Sequence, residues 1–263
     1  MVRGIAKFRE HFTGFDQHYT LIGGVASTLL MQAAGLDFRT TKDFDMVLCV
    51  EALDLAFGKA FWAFVKQGGY RNLQRSSGER IFYRFDKPAD DSFPFMLELF
   101  SRNPDYIHPG DDSHLTPLPI DDSVSSLSAI LLDDDYYTFL HQHKTSIDGV
   151  SLVSEYCLIP LKASAWLDLS RQVAAGVKVN TSDIKKHRND VLRLSQLLRP
   201  DIRIALPPQV AKDLNSFLGS LLQDATLELK QFGLAGLTCE QVVRQLAAIY
   251  QLPLLDGTEQ ADQ

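Results

Sequence analysis

Two carboxylates lie at a spacing that suits the binding of a divalent cation. Asp43 and Asp45 belong to the segment DFDMVL, whose alternation of polar and apolar residues predicts a strand with both acids on one face. Neighbouring carboxylates repel each other, and hard oxygen ligands are what Mg²⁺ prefers, usually beside substrate phosphates. The two acids are therefore candidate magnesium ligands.

A glycine pair upstream of the acids suits the binding of a phosphate. Gly23 and Gly24 precede a helical pattern over 25–34, which ends at Gly35. Glycine lets the backbone approach a ligand closely, and the first turn of a helix offers unpaired N–H groups to an anion. Ser27 in this helix is a further candidate phosphate ligand.

The segment between the helix and the acids carries polar and basic residues. Arg39, Thr41 and Lys42 stand just before Asp43, where the two cations are positioned to neutralise triphosphate oxygens. An Asp-x-Asp alone is common in solvated turns, and a Gly-Gly alone is common in plain turns. The occurrence of both motifs within one short segment indicates a metal–phosphate site much more specifically than either motif alone.

A third carboxylate occupies an apolar setting. The segments 81–85 and 95–100 predict a β-hairpin, and Glu98 in its second strand has apolar neighbours on both faces. An unpaired carboxylate there would be costly. Two explanations are open: a metal ion shared with Asp43 and Asp45, or an ion pair with Arg84 on the partner strand.

These residues resemble the DNA polymerase β-like nucleotidyltransferase superfamily, and within it the AbiEii-type abortive-infection toxins. The resemblance rests on the glycine pair, the helix and the run R-x-T-K-D-F-D at 39–45. It implies that Asp43 and Asp45 bind magnesium and that a third acid on a neighbouring strand, here Glu98, completes the site. The superfamily commonly has Gly-Ser where this chain has Gly23-Gly24, so backbone N–H groups must replace that hydroxyl.

The resemblance has a second anchor in the C-terminal part of the chain. AbiEii-like proteins have a lysine near a helix start and, further on, a basic residue four before an aspartate, which here correspond to Lys162, Lys186 and Asp190. Because His187 stands where many relatives have an acid, Lys185 competes with Lys186 for this position. The structural alternatives are a lysine that only covers apolar surface and an aspartate that pairs with a nearby cation.

The resemblance implies a magnesium-dependent enzyme that transfers a nucleoside monophosphate from a nucleoside triphosphate to a hydroxyl acceptor. The acceptor in relatives includes RNA and tRNA ends, and a cognate antitoxin protein is an expected partner. Lys162 and Asp190 would join the three acids in catalysis. Three alternatives are an antibiotic (aminoglycoside) nucleotidyltransferase, which the acidic middle of the chain allows, a protein-modifying enzyme, and a non-catalytic nucleotide-binding module.

Composition and charge agree with an ordinary globular protein. The net charge of −7 argues against a protein that coats nucleic acid, but residues 155–213 hold 10 basic and 6 acidic side chains, and this region suits polyphosphate or RNA. No apolar run approaches the ~20 residues of a membrane span. With no secretory signal and three scattered cysteines, we expect a cytoplasmic protein without membrane partners and with reduced, buried thiols.

The overall pattern predicts an α+β fold. Residues 1–155 should form a nucleotidyltransferase core with a mixed or antiparallel sheet flanked by helices, and 156–263 a helical C-terminal domain. Segments 129–132 and 136–142 predict a hairpin around three aspartates, and Pro160 predicts the start of a helix. An irregular loop is predicted over 101–128, and a frayed tail after Asp256.

Overall fold

The structure is a computed structural model that describes residues 2–74, 80–102, 115–117, 128–224 and 227–253. It divides into two compact units, Met1–Ser154 and Glu155–Gln263. The domain boundary expected from the sequence lies between residues 155 and 156. Most of the predicted loop over 101–128 and the predicted tail lie outside the described residues.

In its described residues, the first unit combines a large sheet with four α-helices. The helices are α1 (Ile5–His11), α2 (Gly23–Ala33), α3 (Leu55–Gly68) and α4 (Asp134–Gln142). The strands are β1 (Tyr19–Ile22), β2 (Asp43–Leu48), β3 (Arg71–Gln74), β4 (Arg80–Asp86), β5 (Met96–Ser101), β6 (Leu115–Pro117), β7 (Ser128–Leu131), β8 (Lys144–Ile147) and β9 (Val150–Val153).

The sheet is mixed, with β2 near its centre. Its strand order is β3-β4-β5-β2-β1-β9-β8, while β7 pairs with β5 and β6. Strand β2 runs antiparallel to β1 and parallel to β5, and β5 in turn runs antiparallel to β4. The predicted hairpin of β4 and β5 is confirmed, as is the α+β class with a mixed sheet and flanking helices.

An aromatic core covers one face of β2. Phe44 is fully buried, and its ring centroid lies 5.1 Å from that of Phe8 on α1. Phe8 in turn contacts Phe64 on α3, with ring centroids 5.9 Å apart. Because side chains alternate along a strand, this packing leaves Asp43 and Asp45 on the opposite face, where both are only partly buried. The core therefore fixes the face on which the acids appear.

Residues 136–142 form a helix, so the predicted hairpin at this point is wrong. Asp133 caps α4, because its carboxylate accepts hydrogen bonds from the backbone N–H of Asp135 at 2.9 Å and Tyr136 at 3.4 Å. Asp134 and Asp135 occupy the first turn, where negative charge complements the helix dipole. The three aspartates are a helix start and not a turn between strands. Of the predicted hairpin, only β7 is a strand.

The second unit consists of helices. They are α5 (Glu155–Ala174), α6 (Thr181–Leu194), α7 (Pro208–Leu222) and α8 (Cys239–Ile249). Pro160 lies inside α5, so the predicted helix start is wrong by five residues. A proline has no N–H to donate to the carbonyl four residues earlier, and here the hydroxyl of Tyr250 donates to that carbonyl of Tyr156 at 3.0 Å. The replacement bond lets the helix continue.

None of the helices in the described parts of the chain has both the length and the apolar content needed to cross a membrane.

Candidate active site

Strand register brings the predicted carboxylates together. The parallel pairing of β2 with β5 places Asp45 opposite Glu98 and Asp43 opposite Met96. Neighbouring strands lie about 4.8 Å apart, and paired residues point to the same face of the sheet. Asp43, Asp45 and Glu98 therefore share one face at one end of β2. Local sequence patterns could not predict this adjacency, because Glu98 follows Asp45 by 53 positions, and only the family resemblance suggested it.

The glycine pair lies directly beside these acids. Ile22 at the end of β1 is paired with Asp45, and the chain then enters α2 at Gly23, whose φ is +68°. A Cβ atom on Gly23 would overlap Oδ2 of Asp45, and one on Gly24 would lie 2.6 Å from Oγ1 of Thr41. Both glycines are required for the close approach of these side chains. The first-turn N–H groups of α2 consequently start next to the carboxylate of Asp45.

One carboxylate oxygen of this group has no hydrogen-bond partner in the described parts of the chain. Oδ1 of Asp43 is buried and accepts no hydrogen bond from any described residue. A buried polar atom without a partner is costly and uncommon in folded proteins. A hard cation bound by Asp43 and Asp45 would supply the missing interaction, so the residues present fit Mg²⁺.

Glu98 makes an ion pair with Arg84. The guanidinium donates to Oε1 of Glu98 from Nε at 2.5 Å and also from Nη2. This is the alternative that the sequence left open, because Arg84 is the cross-strand partner of Glu98 on β4. Among the described residues, no group of three or more acidic, histidine or cysteine side chains is arranged to hold a metal ion.

Basic side chains flank the glycine turn. Nη2 of Arg39 would lie 3.4 Å from a Cβ on Gly24, so the guanidinium is beside the start of α2. Lys42 is exposed, and its Nζ lies 3.8 Å from the centroid of the Phe95 ring. The site thus combines an acidic patch with cations at the entrance of one helix.

Ser27 is placed differently from a phosphate ligand. It is fully buried, and its hydroxyl donates to the carbonyl of Gly23 at 2.7 Å. The single proton of that hydroxyl is therefore used within α2 and is not directed toward a ligand. The N–H groups of the turn remain as the donors of this helix end.

In the second unit, the predicted residues form a buried ion pair. Nζ of Lys162 on α5 donates to Oδ2 of Asp190 on α6 at 3.0 Å, and both side chains are at least 95% buried. Arg193 approaches the other oxygen of Asp190 at 4.0 Å. Lys186 lies one turn before Asp190 and is half-buried, whereas Lys185 is exposed. A pair this deeply buried is expensive to desolvate and so needs an explanation beyond stability.

The opposite end of β2 carries a polar network that sequence reasoning missed. The hydroxyl of Tyr137 on α4 donates to Oε2 of Glu51 at 2.7 Å and accepts the backbone N–H of Val50 at 3.1 Å. Arg102 donates to Oε1 of Glu51 at 2.8 Å, and a groove of about 650 Å³ opens beside them. The three aspartates at the start of α4 were the signal that a helix, with Tyr137 on its inner face, begins here.

The titratable groups of this network are held in defined states. Burial alone would raise the pKa of Glu51, but hydrogen bonds from Tyr137 and Arg102 keep it below its ordinary value. Burial raises the pKa of Cys49 to about 11, against the opposing charge of Lys144, so its thiol stays protonated. Burial also lowers the pKa of His141. A protonated thiol and a neutral imidazole do not make a reactive pair.

Comparison with known proteins does not assign the chain to a family. No protein-family model matches the chain, and no curated protein matches it either. A solved structure similar to it is that of an antigenic nucleotidyltransferase-like protein from Paracoccidioides brasiliensis, at 18% sequence identity and a TM-score of 0.41 over 95% of this chain and 100% of that chain. A TM-score this low does not establish a common fold.

Proposed function

We propose that this protein is a magnesium-dependent nucleotidyltransferase that moves a nucleoside monophosphate from a nucleoside triphosphate to a hydroxyl acceptor. The observation that carries the proposal is Oδ1 of Asp43, a buried oxygen without a hydrogen-bond partner among the described residues, on a strand whose Asp45 lies against the helix start at Gly23. Two strand acids beside the first turn of a helix supply the two kinds of group that a magnesium–triphosphate complex needs, oxygen ligands for the metal and N–H donors for the phosphates.

Each side chain has a proposed part in this activity. Asp43, Asp45 and Glu98 would hold Mg²⁺, which when bound polarises phosphoryl oxygens and neutralises their charge. The N–H groups of the first turn of α2 would donate to phosphate oxygens, and the two glycines let Asp45 and Thr41 lie against this turn. Arg39 and Lys42 offset the negative charge of the triphosphate, and Thr41 lines the same turn.

The first experiment is a thermal-shift titration with each of the four ribonucleoside triphosphates, with and without Mg²⁺. We expect magnesium and one or more triphosphates together to raise the melting temperature, because a ligand that binds only the folded state stabilises it. The variant Asp45→Asn should lose this shift. No shift with any triphosphate would contradict the proposal.

The second experiment identifies the acceptor. Labelled triphosphate is incubated with total RNA including tRNA, with cell proteins and with aminoglycosides, and the class that acquires label is recorded. RNA is the acceptor we propose, and label on an aminoglycoside would identify an antibiotic-modifying enzyme instead. Triphosphate binding without labelling of any class would favour a non-catalytic nucleotide-binding module.

Lys162 and Asp190 enter the proposal through their resemblance to AbiEii-type motifs and their burial as a pair. A single substitution would leave one buried charge unpaired and destabilise the unit, which obscures function. The double variant Lys162→Met with Asp190→Leu removes both charges, and such exchanges are often tolerated. A folded double variant without transferase activity would support a functional pair, and full activity would make it structural. Lys186→Met tests the remaining motif position, with Lys185→Met as its control.

We further propose that the activity is toxic to cells and that an antitoxin protein opposes it, as in AbiEii systems. Growth arrest on expression of the wild type, but not of Asp45→Asn, is the expected outcome. Arrest by both proteins would separate toxicity from nucleotidyl transfer.

A further inference from the structure

Glu98 lies between two strands that offer it opposite partners. On one side β2 presents Asp45, and on the other side β4 presents Arg84, and both are paired with Glu98 on the same face of the sheet. Each strand is about 4.8 Å away, so a glutamate side chain reaches either neighbour by a change of rotamer. In the structure, the contact that is made is the one with Arg84.

The contact with Arg84 uses only half of the carboxylate. Both guanidinium donors, Nε and Nη2, go to Oε1, whereas a bidentate pair would also use Oε2. Among the described residues, Oε2 of Glu98 has no hydrogen-bond partner, and it is not a fully buried atom. The ion pair is also asymmetric in exposure, with 37% of the Arg84 side chain accessible against 11% for Glu98. The guanidinium can therefore be solvated by water when the carboxylate of Glu98 turns away from it.

We propose that Arg84 is a positioning residue that holds Glu98 on the β4 side until a divalent cation at Asp43 and Asp45 draws the carboxylate across. This inference rests on the proposed magnesium-dependent function. It explains why three acids share a face although no group of three acidic side chains in the described residues is arranged to hold a metal. It also explains how three neighbouring carboxylates coexist without a cation, since Arg84 neutralises one of them.

The proposal has a thermodynamic consequence. The ion pair must be given up when the cation binds, so its free energy is subtracted from the affinity for the metal. An arginine that instead oriented Glu98 toward the metal would act in the opposite sense, because its removal would weaken metal binding. The direction of the change on removing Arg84 separates these two roles.

The test measures Mn²⁺ binding to the full chain by electron paramagnetic resonance, with calorimetric titration of Mg²⁺ as a second readout. Arg84→Met should lower the dissociation constant about fivefold, the scale expected when a partly exposed ion pair no longer competes. Arg84→Lys keeps the positive charge but cannot donate from two guanidinium nitrogens. Its dissociation constant for the metal should lie between those of the wild type and Arg84→Met. In the Glu98→Gln background, Arg84→Met should have no effect on the dissociation constant.

Several outcomes would overturn the inference. An increase in the dissociation constant for Arg84→Met would make Arg84 an orienting residue. If Arg84→Met lowers the dissociation constant by the same factor in the Glu98→Gln background, Arg84 only repels the cation by its charge. If the wild type binds Mn²⁺, Asp45→Asn does not, and Arg84→Met binds like the wild type, the inference fails and the proposed function stands. If wild type, Arg84→Met and Arg84→Lys all bind no metal, the proposed function itself fails.

Discussion

The two ends of strand β2 both carry acidic residues, but the protein treats them in opposite ways. At the end with Glu51, the carboxylate receives hydrogen bonds from Tyr137 and Arg102, which keep its pKa low. At the end with Asp43, a buried carboxylate oxygen accepts no hydrogen bond from any described residue. A fully satisfied network stabilises a fold, whereas an acid left without partners marks a place where a ligand completes the structure.

The Glu51 end also contains a buried polar atom without a hydrogen-bond partner in the described residues, and it shows that the cost of such an atom depends on the charge of its side chain. Nε2 of His141 is buried without a hydrogen-bond partner among the described residues. Burial lowers the pKa of His141, so the imidazole remains neutral and the protein does not have to bury a charge there. The carboxylate of Asp43, which shares its face of the sheet with Asp45, is more costly to bury without a partner, and a bound cation would remove that cost.

The largest expected effect comes from exchanging one acid at each end. Asp45→Asn should lower the turnover of nucleotidyl transfer roughly 1,000-fold, because a metal ligand and its charge are lost. Glu51→Gln should leave turnover within about twofold and lower the free energy of unfolding by about 1 kcal/mol. Steady-state kinetics and urea unfolding of both variants measure the contrast. Equal losses of turnover would remove the distinction between the two ends.

The glycine turn offers a matched pair of substitutions. Gly23 and Gly35 both have positive φ, at +68° and +72°, but only a Cβ on Gly23 would overlap Asp45. Gly35→Ala should cost about 1–2 kcal/mol of stability from backbone strain alone. Gly23→Ala should cost more and should also abolish the thermal shift with magnesium and triphosphate. Retention of that shift in Gly23→Ala would show that the turn does not seat the phosphates.

At the Glu51 end, removal of one hydroxyl should affect stability alone. Tyr137→Phe deletes the group that donates to Glu51 and accepts from the buried N–H of Val50, which should lower the free energy of unfolding by about 1–2 kcal/mol. Turnover should not change. The same substitution in the Glu51→Gln background should cost less, because one partner is already altered. A large loss of turnover would give this end a catalytic role.

The smallest effect concerns pH. Because the pKa of His141 is lowered in the folded protein, the unfolded chain binds the proton more tightly, so the free energy of unfolding falls as pH drops below about 6.5. His141→Gln should flatten this dependence below pH 6.5 in urea unfolding. Burial also lowers the pKa of His143, so His143→Gln is the matched control and should remove a separate part of the slope. An unchanged slope in His141→Gln would contradict a neutral imidazole.

Much of the candidate site could be predicted from local patterns. The alternation in 43–48 gave the strand and the common face of Asp43 and Asp45, and the glycines gave the turn that opens α2. The hairpin of β4 and β5 followed from the same period of two. These features depend on neighbouring residues along the chain, which is why a sequence pattern is enough to predict them.

The errors arose where a local signal had two meanings. Three consecutive aspartates suit an exposed turn and also a capped helix start, and only the backbone N–H groups that Asp133 receives decide for the helix. Pro160 suits a first helical turn, yet α5 continues through it because Tyr250, 90 positions later, bonds the carbonyl that the proline leaves free. Both outcomes depend on partners that no local pattern identifies.

The sequence by itself determined the chemistry available to this protein: which acids, glycines and cations stand in which order and on which face of a strand. Only the tertiary structure decided that Asp45 and Glu98 are neighbours and that Arg84 bonds one oxygen of Glu98. It also decided that, among the described residues, Oδ1 of Asp43 has no hydrogen-bond partner. The physical reason is that side-chain alternation is set by each strand alone, whereas register and ion pairing are set by the packing of strands distant in sequence.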